Sequence, residues 1–153
     1  MAQDEAQLEL TPRLVGSLYT EAMLLADEAR SYFDRLGREE RDGLDPVLRV
    51  GFSCESLKVT TRLMHVIAWL LTQRAVEAGE LSAAQAQRPS RRLGDEPLSD
   101  DEILARLPET AQSLVAASRD LFARVRRLDE AGPETRPRPS PARGLLSRLE
   151  RSF

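Results

Sequence analysis

The stretch from Asp45 to Gly79, DPVLRVGFSCESLKVTTRLMHVIAWLLTQRAVEAG, constrains this chain more than any other, because apolar residues recur along it at helical spacing. Asp45 offers a carboxylate to the free N–H groups of a first turn, and Pro46 stands at the first helical position, where a missing N–H costs nothing. Gly79 suits the left-handed residue that closes a helix. Together these predict one helix of about 33 residues, roughly 50 Å long at 1.5 Å per residue. Gly51 to Ser53 is the point at which a glycine and a serine cap would divide it.

At 100° per residue, Leu57, Thr60, Leu63, Met64, Ile67, Ala68, Leu70, Leu71 and Ala75 share one broad arc, with Val59 and Val66 at its edge. An arc this wide predicts two packing neighbours. The other side carries Glu55, Lys58, Arg62, His65, Trp69 and Gln73 at steps of three and four. That row reads either as a solvated face, with Glu55 and Lys58 paired, or as a partner or dimer surface anchored by Trp69 beside Arg62.

Two further long helices follow from the same period. Thr11-Pro12 repeats the cap-and-proline start, and Val15, Leu18, Ala22, Leu25, Ala29, Tyr32 and Leu36 predict a helix over 12–36, with Gly37 after it. Ala111, Leu114, Val115, Leu121, Phe122, Val125 and Leu128 predict another over 108–130, stopped by Gly132. Between them, Ser82 is expected to cap a short turn over 83–87, RPSRRLGDEP reads as a loop with a basic patch at Arg88, Arg91 and Arg92, and Ser99 with Glu102 fits a capping box. Three amphipathic helices in series, with no alternating strand pattern, predict an all-α, antiparallel up-down-up three-helix bundle over 11–132 with short accessory helices.

The ends differ from this core. Residues 1–10 read as a frayed, disordered start. Four prolines between Pro133 and Pro141 favour an extended, flexible tether over 133–153. Beyond them Leu145, Leu146, Leu149 and Phe153 fall on one side of a short helix, with Arg148 and Arg151 opposite. So short a helix is not stable alone in water. It reads equally as a recognition peptide that orders on a partner or as a segment that folds back on the bundle.

The search for chemistry is largely negative. Cys54 is the sole cysteine and His65 the sole histidine; eleven residues apart on one helix, they are separated by about 16 Å, too far for a nucleophile and its base. No cluster has metal-ligand spacing, no glycine-rich phosphate loop is present, and no cofactor is implied. The acids at 100–102 sit where a helix dipole favours them. These features predict a protein that is not an enzyme. A net charge of −3 argues against duplex nucleic acid as the main ligand. The lone cysteine, the absence of a membrane-length apolar run and an acidic N-terminus predict a cytoplasmic protein.

One segment carries a family resemblance. ESLKVTTRLMHVIAWLLTQRAV, 55–76, resembles the signature of the RcdA family, regulators of CtrA degradation in alphaproteobacteria: an E-S-x-x-x-T-T-R-L run, here Glu55, Ser56, Thr60, Thr61, Arg62 and Leu63, followed by W-L-L-x-Q-R-A, here Trp69, Leu70, Leu71, Gln73, Arg74 and Ala75. Over the rest of 11–132 the likeness is one of helix order and length. The resemblance implies a homodimeric protease adaptor that brings regulatory substrates to the ClpXP unfoldase-protease after a CpdR-type adaptor has primed it, directly or through a PopA-type adaptor. The partner-binding residues expected are Glu55, Lys58, Arg62, His65, Trp69 and Gln73, with the tail positions Leu145, Leu146, Leu149 and Phe153. The competing expectation is a helical dimerisation or transcription-associated module, in which the tail's five arginines against two glutamates make weak nucleic-acid contact.

Overall fold

The computed structural model describes residues 10–132 together with 148, 149, 151 and 152. The frayed start over 1–9 and the proline tether over 133–147 lie outside the described residues. Among the described residues there is no strand, and the fold is all-α as the periodicity predicts.

Helix α1 spans Pro12–Ser31, its first turn closed by Thr11 Oγ1 accepting from the Leu14 N–H at 3.1 Å. The predicted extension to Leu36 is present as a wider π turn, Tyr32–Leu36, ending where the Gly37 N–H donates to Tyr32 O at 2.7 Å. Tyr32, Phe33 and Phe52 form an aromatic cluster there, with ring centroids 5.1 to 6.0 Å apart. A Cβ on Gly37 would stand 2.9 Å from Tyr32 Cζ, so a larger residue there would have to displace the buried Tyr32 ring. After the short α2, Arg38–Asp42, helix α3 runs unbroken over Pro46–Glu77, with Asp45 Oδ1 accepting from the Leu48 N–H at 3.0 Å. Gly79 adopts φ 76°, the left-handed stop expected of it.

Gly51 does not divide α3. Its bare Cα lets α5, Asp101–Leu104, pack against the helix: a Cβ there would collide with Ile103 Cγ2. The other accessory pieces are α4, Ala83–Ala86, held by a Ser82–Gln85 capping box, and a 3₁₀ turn at Pro89–Arg91. At α5 the cap is Asp100, which accepts from the N–H groups of Glu102 and Ile103. Ser99, predicted to cap it, is engaged elsewhere. Helix α6, Glu109–Ala131, ends at Gly132 with φ 59°.

The direction of α6 corrects the up-down-up expectation. Arg74 of α3 lies over the Tyr19 ring of α1, and Phe33 meets Phe52, so α1 and α3 are antiparallel. Arg62 bonds Ser118, and Trp69 bonds Asp129, so α6 advances in the same direction as α3. It follows that α6 opposes α1, which it meets at the Arg124–Glu21 pair. The chain therefore runs up, down and down again. Residues 78–108 make this possible: instead of turning back at the end of α3, they return along the bundle as a crossover. Residues 92–100 of this connection form an extended strap, with Arg92 beside Trp69, Glu96 beside Arg62 and Ser99 beside Glu55.

Two predictions follow from this packing. Gly51→Ala raises intrinsic helix propensity by about 1 kcal/mol, yet it is expected to lower net stability by about 1–3 kcal/mol through overpacking on Ile103. Urea denaturation measures the loss, and adding Ile103→Ala should relieve it. Burial, followed by the hydrogen bond and charge of Glu40 2.7 Å away, pushes the Tyr32 hydroxyl above its ordinary range. The folded state thus holds this proton more tightly than the unfolded chain. Its stabilisation is complete below about pH 10, the unfolded value, and is lost as pH rises through the folded one. The advantage of the native chain over Tyr32→Phe, about 1 kcal/mol near pH 8, should shrink in urea titrations above about pH 10.

Candidate functional site: a buried polar clamp and an exposed helix face

The polar row of α3 is where the structure departs furthest from the sequence reading. Glu55, Arg62, Trp69 and Gln73 are buried, Arg62 completely, and only Lys58 and His65 are partly exposed. The row is neither a solvated face nor an outward one, because α6 and the strap cover it.

Burial of these groups is matched by pairing. The Arg62 guanidinium donates to Ser118 Oγ on α6 at 3.3 Å and to Pro97 O and Ser99 Oγ on the strap at 2.8 Å each. Its Nε stands 3.3 Å from Glu96 Oε1. Glu55 accepts from Ser99 Oγ at 2.6 Å, from the Asp100 N–H at 3.4 Å and from Lys58 Nζ at 3.2 Å. Arg126 of α6 closes the circuit on Glu96. Desolvation lowers the Arg62 pKa, while the Glu96 and Glu55 carboxylates oppose that shift and stabilise the charged form.

One layer further along, Asp129 of α6 joins the same three segments. Its Oδ1 accepts from Trp69 Nε1 at 2.9 Å and from Arg92 Nε at 2.7 Å, and its carbonyl accepts from Arg92 Nη2 at 3.1 Å. The Asp129 hydrogen bond raises the Arg92 pKa against partial desolvation. Arg92, read from sequence as part of a basic patch, is thus paired with Asp129 of its own chain. Arg88 and Arg91 remain exposed.

Sequence reasoning missed Ser99, Glu96, Ser118 and Asp129. Ser118 left a signal: it interrupts the apolar stripe of α6 at a position whose spacing from Val115 and Leu121 puts it in the core. Of the tail positions, Leu149 is exposed, and Leu145, Leu146 and Phe153 lie outside the described residues.

The side of α3 read as its packing face is only partly covered. Leu63, Leu70, Val59 and Val66 are core residues, but Leu57, Met64 and Leu71 are exposed, as are Val47 and Val50. Cys54 is exposed among them. A recess between α3 and the strap contains His65, Trp69, Thr72, Ser90 and Arg91. It holds no pairing of nucleophile and base. No group of three or more His, Cys, Asp or Glu residues among the described residues is placed to bind a metal ion. No described helix is long and apolar enough to cross a membrane.

This arrangement defines a helical scaffold whose charged interior locks a crossover strap and whose central helix leaves an apolar face uncovered. A family described as a protein of unknown function, DUF1465, matches residues 6–153. The crystal structure of RcdA from Caulobacter crescentus CB15 superposes with a TM-score of 0.62 at 33% identity, covering 76% of this chain and 88% of that one. The chain belongs to the RcdA family. No curated protein matches.

The clamp yields a stability prediction. Arg62→Ala leaves Glu55 and Glu96 without their buried cation and should cost about 3–5 kcal/mol. Urea unfolding measures it, and an unchanged midpoint would contradict the clamp.

Proposed function

We propose that this chain is a non-enzymatic protease adaptor that tethers CtrA-type cell-cycle regulators to ClpXP primed by a CpdR-type adaptor, directly or through a PopA-type adaptor. The observation that carries this reading is family membership: the match extends over residues 6–153, and RcdA shares 33% identity with this chain. The fold is compatible with it, since a clamped bundle can hold partners without reacting with them. The mechanism is an increase in local substrate concentration, which needs no new chemistry.

In this reading the protein works in the cytoplasm as a homodimer. The bundle over 11–132 is its rigid part and 133–153 its recognition tail, with Leu145, Leu146, Leu149 and Phe153 as the tail's contact positions. Lys58 and His65, the row members that retain exposure, belong to the partner-facing rim. Glu55, Arg62, Trp69 and Gln73 support that rim from within. Nucleic acid is not a principal ligand.

Reconstituted proteolysis tests the proposal. Adding the chain to ClpXP, the CpdR-type protein and a CtrA-type substrate should accelerate substrate loss at least about tenfold at sub-saturating substrate. Removing 133–153 should abolish the acceleration while leaving the helical signal of the bundle intact. No acceleration with any combination of priming adaptors, together with salt-sensitive nucleic-acid binding by the intact chain, would favour the transcription-associated module instead.

A further inference from the structure

The recess beside Trp69 lies between α3, the 3₁₀ turn Pro89–Arg91 and the start of the strap, and encloses about 780 Å³. Several polar groups on its walls are already engaged. Thr72 Oγ1 donates to Ala68 O at 3.0 Å, Trp69 Nε1 donates to Asp129, and Arg92 is bound to the same aspartate. Three side chains are left over: His65, Ser90 and Arg91. None of them makes a side-chain hydrogen bond or ion pair among the described residues. The His65 ring is pressed against Gly94, where a Cβ would stand 3.2 Å from Cε1 and 3.3 Å from Nδ1. Its Nδ1 is buried with no hydrogen-bond partner. A proton there would be a buried donor without an acceptor, so the neutral ring carries it on Nε2, the nitrogen farther from the strap.

Charge and shape define the ligand these donors suit. The charged side chains on the walls are Arg91 and Arg92, and among the described residues no carboxylate lines the recess. Arg92 is answered by Asp129, whereas Arg91 is exposed and unanswered. One free guanidinium with a hydroxyl and an imidazole N–H beside it matches a single carboxylate. The floor is apolar, formed by Ala68, Leu71 and Ala75 at steps of three and four along α3. The ligand therefore has an anionic end and an apolar body. A small ion, the size of a few waters at about 30 Å³ each, would fill little of the recess, but the extended end of a chain reaches both the cation and the floor. The donors are fixed in advance: the Arg91 N–H donates to Arg88 O at 2.8 Å, and Arg92 pins the next residue to α6.

We propose that this recess binds the C-terminal end of another polypeptide chain. Arg91 takes the terminal carboxylate, Ser90 Oγ and His65 Nε2 donate to it, and the last apolar side chains of the ligand lie over Ala68, Leu71 and Ala75. Recognition of this kind reads the terminus itself, so it separates a chain end from the same sequence in the interior of a chain. The site is defined by its own donors and does not depend on the adaptor reading.

Fluorescence anisotropy with the full chain tests it, using a fluorescein-labelled glycine-serine peptide that ends in two leucines, as the free acid and as the C-terminal amide. The acid should bind at least about tenfold more tightly than the amide. Arg91→Ala should remove that difference with unchanged helical content, because the side chain is exposed. Arg88→Ala, an exposed arginine outside the recess, should leave the difference intact. His65 is the one histidine of the chain, so its ring resonances should move when the acid is added to the native protein and stay in place in Arg91→Ala. Equal affinity for acid and amide, no binding of either, or an equal loss with Arg88→Ala would overturn the site. Displacement of the peptide by an equimolar amount of inorganic phosphate or octanoate would overturn the chain-end assignment in favour of a small anion.

Discussion

A guanidinium cut off from water must be answered by several groups at once, and at Arg62 those groups come from three separate parts of the chain. Ser118 arrives on α6, and Glu96, Pro97 and Ser99 arrive on the strap. Glu55, two turns away on the same helix, fastens the strap from the other side. None of these partners is close to Arg62 in sequence except Glu55. The demand of one buried cation therefore couples the path of the crossover to the docking of the third long helix, and Trp69, Asp129 and Arg92 repeat the coupling one layer on.

Buried ion pairs of this kind are weak sources of net stability, because desolvation consumes much of what pairing returns. Their effect here is on selection among packings. An up-down-up arrangement with the strap away from α3 would leave Arg62 and Glu55 without their long-range partners. Glu55, Arg62, Trp69 and Gln73 of the family signature are therefore explained by the interior of the fold, whereas Thr60 and Arg74 of the same signature stand on its surface.

Much of the architecture was legible in the sequence because it depends on local chemistry. Asp45-Pro46, Thr11-Pro12, Ser82, Gly79 and Gly132 each mark the boundary predicted for them, since caps and left-handed stops are decided within a few residues. What escaped was decided over distance. Helical spacing divides α3 into two faces but does not say which of them other segments will cover. The wetter-looking face was buried because residues 92–100 carry carboxylates and hydroxyls suited to it, and the apolar arc was left half open. The same extended strap returned the chain to the start of α3 and so reversed the expected direction of α6. Ser99 illustrates the conflict in a single residue: its local pattern fits a helix cap, and its hydroxyl instead joins Glu55 to Arg62.

The sense of α6 also decides where the chain enters and leaves. Thr11 opens α1 at the pole where α3 finishes, and Gly132, near Gln87, closes α6 at that same pole. Entry and exit thus share one end of the bundle, and the opposite end is occupied by the aromatic corner of Tyr32, Phe33 and Phe52. A body linked to the start of α1 or to the end of α6 would load the bundle from a single side, as a hook bears its weight from the shank.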